Sequence, residues 1–176
     1  MRLIGIAAAV LTLITVSGAQ AQRGRFTSPQ ARVATTVGGA AFSVEYYAPS
    51  AHGRKIMGQL VPYGEVWCTG ANIATEFNVG ADIQIGSLKL PRGAYSIWTL
   101  PTEKEWTLII NKETGQFHLN YKADLDFGRT KMNLKTLAEP VETFRVELRD
   151  DGGSKGTLAL LWENTEASIP FTVSKK

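Results

Sequence analysis

Apolar and polar residues alternate with a period of two through most of this chain. Phe42, Val44 and Tyr46 are interleaved with Ser43, Glu45 and Tyr47, the pattern of a strand with one buried face. Strands are predicted over residues 32–37 and 41–47, flanking Gly38-Gly39, a pair that accepts the positive φ of a tight hairpin. Shorter alternating runs follow at 75–79, 82–85 and 87–90. Apolar-rich runs at 93–100 and 105–111 are joined by a turn, 101–104, that begins with Pro101. Phe117, Leu119 and Tyr121 alternate in the manner of a strand, and residues 124–129 read as loop. Runs at 141–149, 157–162 and 167–173 close the chain, with turns at 150–154 and 163–166. No amphipathic helix longer than two turns is visible. About ten short strands with Gly/Pro turns between them predict an all-β fold, an antiparallel β-sandwich forming one domain over residues 32–174.

Two regions break the alternation. Residues 48–72 carry Pro49, Gly53, Gly58, Pro62, Gly64 and Gly70, spaced too closely for long regular elements. They predict one long structured loop with a single helical turn near 55–60. At the other break, Arg2 precedes an apolar run over 3–16, and Ala19-Gln20-Ala21 supplies small residues around a cleavage point. The run is shorter than the ~20 residues a membrane-spanning helix needs. Residues 1–21 are therefore expected to be a cleaved signal peptide, with Gln22 as the mature terminus and 22–31 a flexible lead-in. The expected location is the periplasm or the exterior, without a transmembrane anchor.

Composition narrows the function classes. With 44% hydrophobic and 20% charged residues the chain is globular rather than disordered. A formal charge of +3 with no long basic run gives no nucleic-acid footprint. Cys68 is the single cysteine, so no intrachain disulfide can form, and a buried, reduced thiol is expected. His52 and His118 stand far apart with no metal-ligand spacing, and neither a dinucleotide fingerprint, a P-loop nor a Gly-x-Ser-x-Gly elbow occurs. Neither a metal nor a cofactor is expected. The carboxylate pairs Asp124/Asp126 and Asp150/Asp151 lie in turn-like segments where solvated acids are normal. Trp98, Trp106 and Trp162 lie in predicted strands and read as core.

Candidate chemistry gathers in the long loop. Arg54, Lys55, Tyr63, Glu65, Trp67, Thr69 and Asn72 combine flat aromatic faces with donors and acceptors, a mixture suited to a small polar ligand or a sugar. The competing reading is structural: a loop of this length must pack something beneath itself, and Tyr63, Val66 and Trp67 can be that private core, with Thr69 and Asn72 satisfying turn backbone. Arg54, Tyr63, Glu65, Trp67, Thr69 and Asn72 are taken forward as the candidate ligand-binding set. Two functions remain open, a non-catalytic envelope binding module using residues 52–72, or a hydrolase or isomerase acting on a small polar or carbohydrate substrate through Glu65, Glu76 or His52.

Two segments resemble a known family. They are Gly53-Arg-Lys-Ile-Met-Gly-Gln-Leu-Val-Pro-Tyr-Gly-Glu-Val-Trp-Cys-Thr-Gly-Ala-Asn72 and Leu90-Pro-Arg-Gly-Ala-Tyr-Ser-Ile-Trp-Thr-Leu-Pro101, the latter continuing through Glu105-Trp-Thr-Leu-Ile-Ile-Asn-Lys112. Both are similar to the bacterial family called domain of unknown function 2911, and the likeness extends from about residue 33 to 173. It implies an exported protein and no particular chemistry. Cys68 stands where that family usually has arginine, so no role of that arginine is carried over to this chain.

Overall fold

A computed structural model describes residues 28–174; the expected signal peptide and most of the lead-in lie outside them. Among the described residues there are nine antiparallel strands: β1 (Gln30–Val37), β2 (Ala40–Tyr47), β3 (Thr75–Val79), β4 (Ile83–Ile85), β5 (Leu88–Leu90), β6 (Gly93–Pro101), β7 (Trp106–Asn111), β8 (Asp126–Gly152) and β9 (Lys155–Val173). They form one open sheet in the order β1-β2-β3-β6-β7-β8-β9-β4-β5. The period-two pattern sets which face is buried. On β2, Phe42, Val44 and Tyr46 point into the core. Gly38 and Gly39, at φ +57° and +79°, make the tight turn their sequence predicts.

The sheet folds over on itself because β8 serves both halves. Its first residues pair with β7, up to the partners Trp106 and Met132, and from Asn133 onward it pairs with β9. The two halves then face each other. Phe42 on β2 meets Phe171 on β9 with ring centroids 5.0 Å apart, and Tyr46 meets Phe144 on β8 edge-on at 5.7 Å. The Tyr46 hydroxyl also accepts the Val146 N–H at 3.2 Å, so the phenol's polar tip is satisfied inside the core. Trp98, Trp106 and Trp162 are all buried, as their strand positions predict.

Two details correct the sequence reading. The predicted turn at 163–166 is strand: β9 runs through it, and the deviation is a bulge in which Glu163 sits at φ +48° opposite Val141. That is why two short strands become one of 19 residues. The alternation of Phe117, Leu119 and Tyr121 is not a strand either. Residues 112–122 form a loop, a short 3-10 turn follows at Ala123–Leu125, and β8 begins at Asp126, inside the segment read as loop. The three side chains of that alternation go to different places. The Phe117 ring is part exposed and lies against His118 while its backbone bridges to Ile73, Leu119 is exposed, and Tyr121 packs on Trp98 at 5.0 Å.

Both long loops lie against β6 and β7, whose outer face would otherwise be bare. Cys68, Ala74, Trp98 and Ile109 form a second small core there, with Val66, Trp67, Leu100 and Tyr121 packed on it. Burial on both faces explains the nearly unbroken apolar runs of these two strands.

Candidate functional site

The loop between β2 and β3 is pinned along its length. Ala51 N–H donates to the Glu142 carbonyl at 2.9 Å, Gly64 N–H to that of Pro101 at 2.8 Å, and Trp67 exchanges backbone bonds of 2.8 and 2.9 Å with Thr99. Its middle turn is held by the Glu163 carboxylate, which accepts N–H bonds from Ile56 and Met57. The second loop is anchored by Gln116, whose side-chain amide donates to Ser96 Oγ at 2.9 Å, and by the Tyr121 hydroxyl, which donates to Asp126 at 2.7 Å. Burial and the neighbouring carboxylate push the Tyr121 phenol up to about 12, so it remains a donor. The loops meet where Ala74 N–H donates to the Gln116 carbonyl and His118 N–H to that of Asn72, each at 3.0 Å.

Between them opens a pocket of about 390 Å³ lined by Arg54, Leu60, Val61, Val66, Trp67, Cys68, His118, Leu119 and Trp162, with Ser28, Pro49 and small residues of the loop. Trp67 is its hub. The indole stacks on Trp162 at 5.8 Å, meets Phe144 and Trp106 edge-on, and donates its N–H to the Gly70 carbonyl at 3.1 Å. Trp162 in turn donates to the Glu142 carbonyl at 3.1 Å. Arg54 is the one charged group in the lining. Its Nε donates to the Ala51 carbonyl at 2.8 Å and its Nη2 to that of Ser50 at 2.7 Å, which fixes the guanidinium plane. Burial pushes the Cys68 thiol up to about 12, so it stays protonated. Desolvation lowers the His118 imidazole below its ordinary value, and the Phe117 ring lies against it at 4.3 Å. That histidine is therefore neutral at pH 7.

The six residues of the candidate set divide. Arg54 and Trp67 come together in the pocket. Thr69 is wholly buried at φ +56°, a strained conformation for a β-branched residue, with its hydroxyl 3.2 Å from that of Thr99 and its carbonyl accepting the Thr75 hydroxyl at 2.6 Å. Asn72, at φ +62°, donates its amide to the Ser28 carbonyl at 3.4 Å and accepts the His118 N–H through its own carbonyl. Both support turn backbone. Tyr63 lies over Gly58, where an added Cβ would approach its ring to 2.8 Å, and Glu65 and Lys55 are exposed. The proposed acid–base residues are dispersed. Glu76 sits on β3 opposite Glu45 and Ser96 and accepts from Asn78 at 3.1 Å. His52 lines a different depression, with Ser50 and Arg54. Leu60, His118, Leu119 and Trp162 complete the pocket and were not in the candidate set. The available signal was the pair of apolar residues, Phe117 and Leu119, in a short polar stretch.

No group of three or more His, Cys, Asp or Glu among the described residues is placed to hold a metal ion, and none of their helices is long and apolar enough to cross a membrane. A family model described as a protein of unknown function, DUF2911, matches residues 28–171, which include every residue lining the pocket. No curated protein and no solved structure matches the chain.

Proposed function

We propose that this chain, which belongs to the DUF2911 family of proteins of unknown function, is an exported binding module of the cell envelope that receives a small ligand between its two long loops without transforming it. One observation carries this reading. Among the described residues the exposed large hydrophobic side chains are Leu60, Tyr63, Phe117 and Leu119, all in these two loops, and Leu60 and Leu119 line the pocket itself. Exposed apolar groups gathered at a concavity, rather than scattered, mark a recognition surface. The lining favours holding a ligand over chemistry. Burial keeps the Cys68 thiol protonated, so it is not a thiolate nucleophile. Neutral His118 could accept a proton, but the lining offers it neither an ionised thiol nor a carboxylate as a partner.

A thermal-shift screen tests this, using envelope sugars, peptidoglycan fragments and small organic acids. A ligand at 100 times its Kd adds about 2.7 kcal/mol, a readable shift. Leu119 is 74% exposed, so Leu119→Asp should leave the free protein's Tm in place and abolish the ligand's shift. Shifts that survive this substitution, or none from the whole panel, would retire the pocket. The envelope location is tested separately: mass spectrometry of the exported protein should find Gln22 at the N-terminus, and an intact Met1 in that fraction would contradict export by cleavage.

A further inference from the structure

Resting on the pocket as the binding site, we infer that its ligand is a small amphiphilic anion, a carboxylate seated at Arg54 with an acyl or aryl body lying over Trp67 and Leu119. The site has two ends. Beside the apolar pocket lies a second depression, of about 620 Å³, lined by Pro29, Ala48, Ser50 and His52. The two share Ser28, Pro49 and Arg54, so they form one groove with a polar end and an apolar end, and Arg54 marks the division.

The guanidinium is prepared for an anion. Two of its nitrogens are committed to the Ala51 and Ser50 carbonyls, while Nη1 has no partner among the described residues. A guanidinium fixed in orientation with N–H groups to spare suits a carboxylate. No carboxylate lines either end of the groove. Glu142, the acid that reaches this area, is turned onto the His52 backbone N–H at 2.8 Å. The apolar end sets the rest of the ligand. Leu60, Val61, Val66, Trp67, Leu119 and Trp162 offer hydrocarbon and ring surface, and the Trp67 and Trp162 N–H groups are already bonded to carbonyls. A sugar entering there would meet mostly hydrocarbon, with His118 the chief side-chain partner for its several hydroxyls, so most of them would lose their hydrogen bonds to water without replacement. A volume of about 390 Å³ is near the lower bound of ligand pockets, ~300–1,000 Å³, so the body is short.

Titration calorimetry with octanoate, 1-octanol and acetate separates the possibilities. Octanoate should bind at least about tenfold more tightly than either the alcohol or acetate. Added salt should weaken octanoate and leave octanol unchanged. Arg54→Gln should raise the octanoate Kd about tenfold and not that of octanol. Leu119→Asp, on the surface, should also weaken octanoate. Equal binding of acid and alcohol, or no binding of octanoate, overturns the inference. If Arg54→Gln disturbs its loop, the acid-to-alcohol ratio and the salt dependence of the unaltered protein still discriminate. A neutral sugar that binds in a Leu119-dependent way while octanoate does not would leave the pocket standing and defeat the anion. Concentration-dependent dimerisation removed by Leu119→Asp, without octanoate binding, would assign the groove to a second copy of the chain.

Discussion

Glu163 accepts the backbone N–H of Met57, 106 positions earlier in the chain, at 3.0 Å, while its other oxygen takes the Ile56 N–H at 2.8 Å. The acid can reach because it occupies the bulge of β9 at φ +48°, where its side chain is turned away from the regular strand direction. One carboxylate thereby clamps the turn that carries Leu60 and Val61 to the groove.

Glu163→Gln replaces one of the two acceptors with a donor that faces an N–H. We expect a loss of about 1–3 kcal/mol, the cost of a part-buried amide left without its partner. Hydrogen exchange should show where. Amides of Ile56 and Met57 lose protection, while those of β6 and β7 keep theirs. Uniform loss across the sheet would show that the clamp is not local.

Trp67→Ala removes the indole that Trp162, Phe144 and Trp106 pack against, and should cost about 3–5 kcal/mol in chemical denaturation. Leu119→Ala, at the rim, should change stability by less than about 0.5 kcal/mol. Similar effects at both positions would contradict the hub role of Trp67. The contrast also makes Leu119 the better probe of binding, because its loss does not report on folding.

The Cys68 thiol has an ordinary value of 9.0 and is pushed to about 12 by burial. On raising the pH, the unfolded chain therefore gives up this proton first. Its contribution to stability is complete below pH 9 and declines from there to about 12, by at most about 1.4 kcal/mol per pH unit. The urea midpoint should consequently fall more between pH 8 and 10 in the unaltered protein than in Cys68→Ala. Equal falls would mean that the thiol ionises in the folded state. Thiol reagents at pH 8 should label Cys68 slowly unless denaturant is present.

His118 should titrate below its ordinary 6.5 in an NMR experiment, because burial disfavours the imidazolium. Its stabilising contribution is full above 6.5 and is lost as the pH falls through the lowered value. Phe117→Ala removes the ring at 4.3 Å and should bring the titration back up. No change on removing that ring would place the cause of the shift elsewhere.

Strands were legible wherever one face is buried and the other wet, as at Phe42, Val44 and Tyr46. β6 and β7, buried on both faces, were legible as apolar runs instead, and the misreadings fall at two other places. The bulge at Glu163 imitates a turn because a polar run interrupts the apolar pattern, yet pairing with β8 continues on both sides. Phe117, Leu119 and Tyr121 imitate a strand because three apolar residues with unrelated surroundings happen to fall at alternate positions. The site was half legible for a related reason. Arg54 and Trp67 belong to a loop whose composition announces it. His118, Leu119 and Trp162 reach the same pocket from distant stretches, through a chain path that no local pattern encodes. Thr69 and Asn72 are polar because the loop's own backbone bends there, which in a sequence looks the same as a residue poised for a ligand.

The passage of β8 through both halves of the sheet bears on how this protein can assemble. β9 pairs with β4, whose Ile83 stands opposite Val173, and β5 beyond it ends the strand order. The β4–β5 hairpin has no second strand beside β4 until β9, far later in the chain, has formed. Pairings so remote in sequence delay the rate-limiting step. Closing this part of the sheet therefore waits on contacts between residues far apart in the chain, whatever the order in which the other strands pair.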